Sequence, residues 1–507
     1  SNQSMATAPA EPLDQVPEGL VAPPDVPPVP KSLWSSFSAW WSYSQLQAAQ
    51  AELYLYSKSG YFRGARLGNA DACEDNGPDT LAQAYAIARS GAAKESALPP
   101  HGAAHNRYST VGTECAPDGK VGCVRLVDIG DAPERSAHTS TRRLPSFSPT
   151  YKRRQLNMLE VGTPQEHAAQ PADEKKIVLV HGYGAGSAFF FPNVEAFAPT
   201  PNSRFFALDW LGMGRSSRTP YRLPRRGMKL EDRVHAAEAF FVDSLEQWRD
   251  KMRLERMVLV GHSLGGYLSL AYALQYPERV SQLILVSPVG IPEGSWDQMH
   301  AKAPRAEAPL PQEQLERDVE ESVLQRTGTT DSRSTEADRG PNARMTRAGT
   351  SLRRIVSVLW EWNVSPFGIV RNSFFLGPWL MGRYTSRRFG TLSAEEVRYM
   401  HAYCHGITTD RGSSEYSLSH LLAPGAYARL PMVNRISGLK MPISFLYGSH
   451  DWMDINGGID ACKRLREAGN RHTGVHIISH AGHHLYLDNP GHFNQLIMRL
   501  VQAPDNA

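Results

Sequence analysis

A serine hydroxyl at neutral pH is a weak nucleophile unless a base takes its proton and an acid orients that base. Such chemistry needs a Ser, a His and a carboxylate at positions that a fold can bring together. The run Val258-Leu259-Val260-Gly261-His262-Ser263-Leu264-Gly265-Gly266-Tyr267 ends an apolar, β-branched stretch in Gly-x-Ser-x-Gly and opens an apolar helical pattern. That is the pattern of a nucleophile elbow, a sharp strand-to-helix turn that exposes the Ser263 hydroxyl. Gly261 and Gly265 suit it because side chains there would collide across the turn. The motif alone is common, and the strand before it and helix after it make it informative. A serine in an ordinary Gly-rich turn is the alternative.

The acid and base are sought at the carboxyl ends of later strands, the edge where α/β sheets place their sites. Ile443-Ser444-Phe445-Leu446-Tyr447-Gly448 reads as a strand, and Ser449-His450-Asp451 follows it. Asp451 is the candidate acid, with Asp454 its rival and helix capping the alternative role. After the last strand come His480-Ala481-Gly482-His483-His484-Leu485-Tyr486-Leu487-Asp488. His483, directly after Gly482, is the candidate base. His484 is the rival, and His480 stands close to the strand. An acyl-transfer intermediate also needs donors for its oxyanion. The backbone N–H of Leu264 is one candidate and that of Tyr183, in the loop His181-Gly182-Tyr183-Gly184-Ala185-Gly186, is the other. A phosphate-cradling loop would read Gly-x-Gly-x-x-Gly or carry Gly-Lys-Ser/Thr, and this one does neither. No cofactor and no metal is expected.

These residues must be carried by a sheet. Strands are read at 123–129, 155–161, 176–181, 205–209, 280–286 and 474–479, besides the two that precede Ser263 and Asp451. Helices are read at 45–56, 230–251 and 492–501. Strands alternating with helices imply a mostly parallel central sheet covered by helices on both faces, an α/β class fold. Apolar helices between about Leu352 and Met400, with Trp360, Trp362, Phe374, Phe375 and Trp379, make a helical cap or lid insertion. The expected organisation is a disordered segment over 1–30, a Trp-rich segment over 31–60, core over 61–290, a cap over 291–435 and core again over 436–507. Residues 131–150 read as a polar loop, 295–350 as a disordered polar insertion, and 70–120 show little periodicity.

The chain of 507 residues has a net charge of only +3, too mild to imply nucleic acid. Its five cysteines include no Cys-x-x-Cys, so neither zinc nor a disulfide framework is read. No run of eighteen apolar residues suggests a membrane span, and the first residues lack the basic start and apolar middle of a signal peptide. The segment Leu33-Trp34-Ser35-Ser36-Phe37-Ser38-Ala39-Trp40-Trp41-Ser42-Tyr43 carries five aromatic rings and no charge. Trp and Tyr favour the membrane–water interface, being apolar with one polar handle. Trp34, Trp40 and Trp41 are therefore read as contacts to a membrane surface, the alternative being an arm packed on the protein's own core. Arg383, Arg387 and Arg388 in the lid are candidates to meet phosphate head groups, against the alternative of a solvated basic face.

With these residues in place the chain resembles the α/β-hydrolase superfamily, and within it the subgroup of α/β-hydrolase-domain proteins 4 and 5 and the fungal cardiolipin-specific deacylases. The resemblance rests on His181-Gly182-Tyr183-Gly184, on Asp209-Trp210-Leu211-Gly212-Met213-Gly214-Arg215-Ser216-Ser217, and on Gly261-His262-Ser263-Leu264-Gly265-Gly266. It rests further on Tyr276-Pro277-Glu278-Arg279-Val280 and Ala481-Gly482-His483-His484-Leu485-Tyr486-Leu487-Asp488. It runs from about Val124 to Val501. It implies a membrane-associated serine acyl hydrolase of glycerophospholipids such as cardiolipin, in a peripheral membrane, intracellular location, mitochondrial or at a lipid droplet. The alternatives are an acyl-CoA-dependent lysophospholipid acyltransferase using the same site, or a non-catalytic protein that recruits a lipase. In that subgroup His483 with Asp488 is discussed as an acyltransferase motif. Standing before Asn489-Pro490, Asp488 could instead cap the last helix. One branch replaces the serine with asparagine, whereas this chain keeps Ser263.

Overall fold

A computed structural model describes residues 26–69, 80–89, 108–131, 154–164, 173–221, 227–294, 360 and 363–502. The described residues form ten strands: β1 (Arg66–Asn69), β2 (Tyr108–Val111), β3 (Val121–Asp128), β4 (Gln155–Gly162), β5 (Lys175–Val180), β6 (Ser203–Leu208), β7 (Met257–His262), β8 (Val280–Val286), β9 (Ile443–Gly448) and β10 (Thr473–Ile478). They form one sheet in the order β1-β2-β3-β4-β6-β5-β7-β8-β9-β10. From β6 to β10 every pairing is parallel, and β1 to β4 join as an antiparallel wing. β2 and the helix Thr80–Arg89 fall in the stretch of low periodicity. A strand of four residues is too short for a period of two to register.

The central strands are apolar throughout because both faces are covered. Val178, Val180, Phe206, Leu259, Leu283 and Phe445 face one apolar cluster, with the helices Leu230–Lys251, Leu264–Gln275 and Ile455–Glu467. Ile177, Leu179, Phe205, Val260, Ile284 and Leu446 face the other, with Gln45–Ser57, Ala394–Thr409 and Pro490–Gln502. Between β8 and β9 the chain leaves the sheet to build a lid from Pro366–Asn372, Gly377–Arg388 and Ala394–Thr409. Leu421, Leu422, Met432, Val433 and Ile436 lie within the first core cluster. The core therefore resumes earlier than the expected cap boundary at 435, because these apolar side chains fill the sheet face.

The N-terminal boundaries also need correction. Val26 is fully buried, and the chain at Pro30 lies against the lid at Gly382, so the expected disorder does not reach residue 30. The helix Gln45–Ser57 is an integral layer of the core. Tyr54 stacks on Tyr399 of the lid with ring centroids 3.6 Å apart, and Glu52 is buried against the Arg215 guanidinium. The aromatic segment forms the helix Leu33–Trp41, started by a Ser32–Ser35 capping box. Ser36 is buried under it, donating to the Phe375 carbonyl at 2.5 Å and accepting from the Trp379 N–H at 2.9 Å. The segment is thus tied to the lid on one side, while Trp34 and Trp41 remain 81% and 77% exposed on the other. Among the described residues no helix is long and apolar enough to cross a membrane. The readings of 1–25, 132–150 and 295–350, and that of Trp362, lie outside the described residues.

Two imidazoles are enclosed where the lid meets the N-terminal arm. His401 Nδ1 meets Thr385 Oγ1 at 3.0 Å, and the His405 ring stands edge-on to Tyr43 at 4.7 Å. Burial holds His401 down to about 3 and His405 down to about 4, with His405 adding to the effect on His401. The unfolded chain takes up these protons near pH ~6.5 while the fold resists them. Their contribution is therefore complete above that pH and is lost as pH falls toward 4. His405→Phe keeps a ring against Tyr43 and removes one titration, a difference of on the order of 3 kcal/mol at full linkage. We expect melting temperatures to fall less steeply for the variant between pH 7 and pH 4.5. Parallel slopes would clear His405 of this role.

Candidate active site

Ser263 lies between β7 and the helix Leu264–Gln275 with φ 55° and ψ −117°. This is strained backbone for a residue with a side chain. The turn is held by its own hydrogen bonds. The Ser263 N–H donates to the Val286 carbonyl at 2.9 Å, and the Ser263 carbonyl accepts from Tyr267 at 3.2 Å and Val289 at 3.3 Å. A Cβ on Gly265 would stand 2.5 Å from the His181 carbonyl oxygen, so glycine is what lets the helix start against the end of β5. A Cβ on Gly182 would stand 2.8 Å from Ser263 Cβ. Tyr183 and Leu264, the candidate oxyanion donors, thus follow the two residues in closest approach.

His483, after β10, brings its ring to this turn. The Ser263 hydroxyl meets Nε2 at 2.9 Å, and Nδ1–H points to Asp451 Oδ1 at 3.1 Å. Asp451 is held by the Met453 N–H on Oδ1 at 3.1 Å and by the Ser287 hydroxyl on Oδ2. A serine hydroxyl, an imidazole and a fixed carboxylate in series can deprotonate the hydroxyl and store the proton. The rivals do other things. Asp454 caps the helix Ile455–Glu467 by accepting from the Asn456 N–H at 3.0 Å. His480 is exposed, and His484 Nδ1 accepts from Arg388 Nε at 3.2 Å.

Beneath the Tyr183 loop lies a buried carboxylate. Asp209 Oδ1 accepts from the Ser187 N–H at 2.5 Å, and Oδ2 accepts from the Arg215 N–H at 2.7 Å and Asn157 Nδ2 at 3.0 Å. The His181 ring is packed above it, taking the Trp210 N–H on Nε2 at 3.2 Å and donating from Nδ1 to the Gly182 carbonyl at 2.7 Å. Burial pushes the His181 imidazole below its ordinary range, Asp209 opposing. The motif Asp209–Ser217 therefore fixes the loop that faces Ser263.

Several residues around His483 were not singled out from the sequence. His262 Nε2–H donates to the His483 carbonyl at 2.9 Å, and burial, helped by His483, keeps its ring neutral. Ser287 follows β8, which pairs with β9 just before Asp451, and adjacent parallel strand ends were a usable signal for it. Asp488 does not cap the last helix. Asn489 does so, its Oδ1 accepting from the His492 N–H at 3.2 Å. Asp488 Oδ2 instead takes the Gly482 N–H and Oδ1 takes Arg388 Nη1, each at 3.0 Å. Arg388 is thereby paired and does not share the exposed face of Arg383 and Arg387.

A family model described as alpha/beta hydrolase fold matches residues 175–490. The chain is similar to a protein of Oryza sativa subsp. japonica named probable 1-acylglycerol-3-phosphate O-acyltransferase, 32% identical over 63% of this chain and 66% of that protein. It is similar to (lyso)-N-acylphosphatidylethanolamine lipase of Mus musculus, 27% identical over 66% and 81% of the two chains. A third relative is 1-acylglycerol-3-phosphate O-acyltransferase ABHD5 of Rattus norvegicus, 29% identical over 65% and 78%. The match spans just under two thirds of the rice protein's own length.

Gly182 offers a direct test of the site geometry. In Gly182→Ala the new methyl would meet Ser263 Cβ at 2.8 Å, His262 Nδ1 at 3.0 Å and the His262 carbonyl at 3.2 Å. A misplacement of about 1 Å at a reacting group can cost ~100-fold in rate. We expect labelling of Ser263 by a serine-directed fluorophosphonate to slow by about that factor, with the melting temperature nearly kept. Wild-type labelling rates would remove Gly182 from the neighbourhood of the nucleophile.

Proposed function

The chain belongs to the α/β-hydrolase family, and from that premise we propose that it is a membrane-associated serine acyl hydrolase of glycerophospholipids. The observation that carries this reading is the hydrogen-bonded series Ser263–His483–Asp451 at the end of a parallel sheet. Ser263 Oγ attacks the ester carbonyl while His483 Nε2 takes its proton. The backbone N–H groups of Leu264 and Tyr183 hold the oxyanion. Asp451 keeps the imidazole in the tautomer that accepts at Nε2 and stabilises the imidazolium. His483 then protonates the departing alkoxide, and water resolves the acyl-enzyme by the same steps in reverse. The lipid class is supported by the names of the relatives, which are lipases and acyltransferases of phospholipids. Cardiolipin in particular, and a mitochondrial or lipid-droplet location, rest on the family resemblance alone.

A second reading has one specific support, the acyltransferase names of the rice and rat relatives. A lysophospholipid hydroxyl would then replace water at the acyl-enzyme, with acyl-CoA as donor. The membrane part of the proposal is supported by the surface that the aromatic helix shares with the lid, where Phe37 meets Phe375 and Trp40 meets Phe374. Trp34, Trp41, Phe374, Phe375, Leu376 and Leu380 are all exposed and carry no charge. Rings of this kind suit the lipid interface.

Lipid mass spectrometry on mixed phospholipid vesicles tests the chemistry. Wild type should release fatty acid and lysophospholipid, and Ser263→Ala should release neither. Equal products from both would sink the reading, and product formation only when acyl-CoA and lysophospholipid are supplied would favour the transferase. The surface is tested separately by replacing Trp34, Trp40 and Trp41 with Ala. Vesicle flotation should weaken, and turnover of vesicle lipid should fall far more than turnover of a short soluble ester. Unchanged flotation would show that the aromatic helix serves packing alone.

A further inference from the structure

Each chain neighbour of His483 is held by the same pair of side chains. Gly482, before it, gives its N–H to Asp488 Oδ2 at 3.0 Å. His484, after it, accepts Arg388 Nε on its Nδ1 at 3.2 Å. Arg388 and Asp488 are themselves joined, Nη1 to Oδ1 at 3.0 Å. His484 is enclosed by ring contacts with Phe189 and His262, and burial together with the Arg388 charge holds its imidazole neutral, able to accept. Both ring nitrogens of His483 are already engaged, one by Ser263 and one by Asp451. Asp488 thus has backbone and guanidinium partners, and Asn489 performs the helix capping beside it.

Arg388 is the last residue of the lid helix Gly377–Arg388. Near the other end of that helix, the Trp379 N–H bonds to Ser36 of the aromatic helix. One helix of about 18 Å therefore runs from the exposed aromatic surface to the His483 loop.

We propose that Arg388 and Asp488 are positioning residues that latch the lid to the His483 loop and set the imidazole against Ser263. This rests on the reading of Ser263 and His483 as nucleophile and base. The spacing from His483 to Asp488 then serves to return a carboxylate beneath the Gly482 N–H, where the lid arginine can reach it. It does not serve proton transfer to an acyl acceptor.

The test uses the full chain with Asp488→Ala, Asp488→Asn, Arg388→Met, Arg388→Lys and the double variant Arg388→Met/Asp488→Ala. Hydrogen–deuterium exchange over 479–488 and 377–388 reads the latch without reference to activity. Both stretches should exchange faster in Asp488→Ala and in Arg388→Met, with exchange in the remaining sheet unchanged. On a short soluble ester, kcat should fall about 10- to 100-fold with KM nearly constant. Arg388→Lys and Asp488→Asn should recover much of the loss, and the double variant should be no worse than either single one. The partition of the acyl group between water and an added lysophospholipid should stay at the wild-type ratio. Unchanged exchange in both stretches overturns the latch. A selective loss of transfer with hydrolysis intact overturns it too, and makes Asp488 a participant in transfer. If the wild type takes no fluorophosphonate, the reading of Ser263 fails, and the exchange measurement alone decides the latch.

Discussion

The left-handed turn at Ser263 is the constraint on which the rest of the site depends. A residue with a side chain at φ 55° costs about 1–3 kcal/mol of strain. It persists because the sheet over-determines it. The Ser263 N–H is taken by the end of β8, its carbonyl by Tyr267 and Val289, and its flanks by glycines that let β5 come within contact. The parallel register of β5, β7 and β8 is thus what points the hydroxyl outward. The same register brings the end of β8 beside the end of β9, so Ser287 can hold Asp451.

A second constraint lies below the site. Glu52, Asp209 and Arg215 are buried together, with Asn157 Nδ2 bonding both carboxylates. Burial pushes the Glu52 carboxyl upward and the Arg215 guanidinium opposes it. Breaking such a pair by removing one partner typically costs ~3–5 kcal/mol, because the other charge is left uncompensated. The helix carrying Glu52 is therefore bound into the fold at the point where the Tyr183 loop is shaped. The aromatic helix before it is held on one side by the lid and keeps its outer rings in solvent. Surface, lid and the His483 loop are consequently joined by direct contacts, Trp379 to Ser36 near one end of the lid helix and Arg388 to His484 and Asp488 at the other.

Much of this was legible in the sequence. The central strands announce themselves as β-branched apolar runs because both faces of a parallel sheet are buried. Gly261-His262-Ser263-Leu264-Gly265 announces its turn because a side chain at position 261 or 265 would collide with neighbouring backbone. Asp451 and His483 stand where strands end, which narrowed the acid and base to two or three neighbours each. β2 and the helix Thr80–Arg89 were silent, being too short or too weakly apolar to show a period.

Spacing along the chain determined the elements and the short list of candidate site residues, since both follow from local geometry within a few positions. Only the tertiary structure decided among the rivals, giving Asp454 to a helix cap, Asp451 to His483 and His484 to Arg388. It alone disclosed the pairs Arg388–Asp488 and Glu52–Arg215, whose members are 100 and 163 residues apart. Such contacts leave no periodic trace. They exist because the topology folds remote segments against each other, and a buried charge then requires whatever partner it meets there.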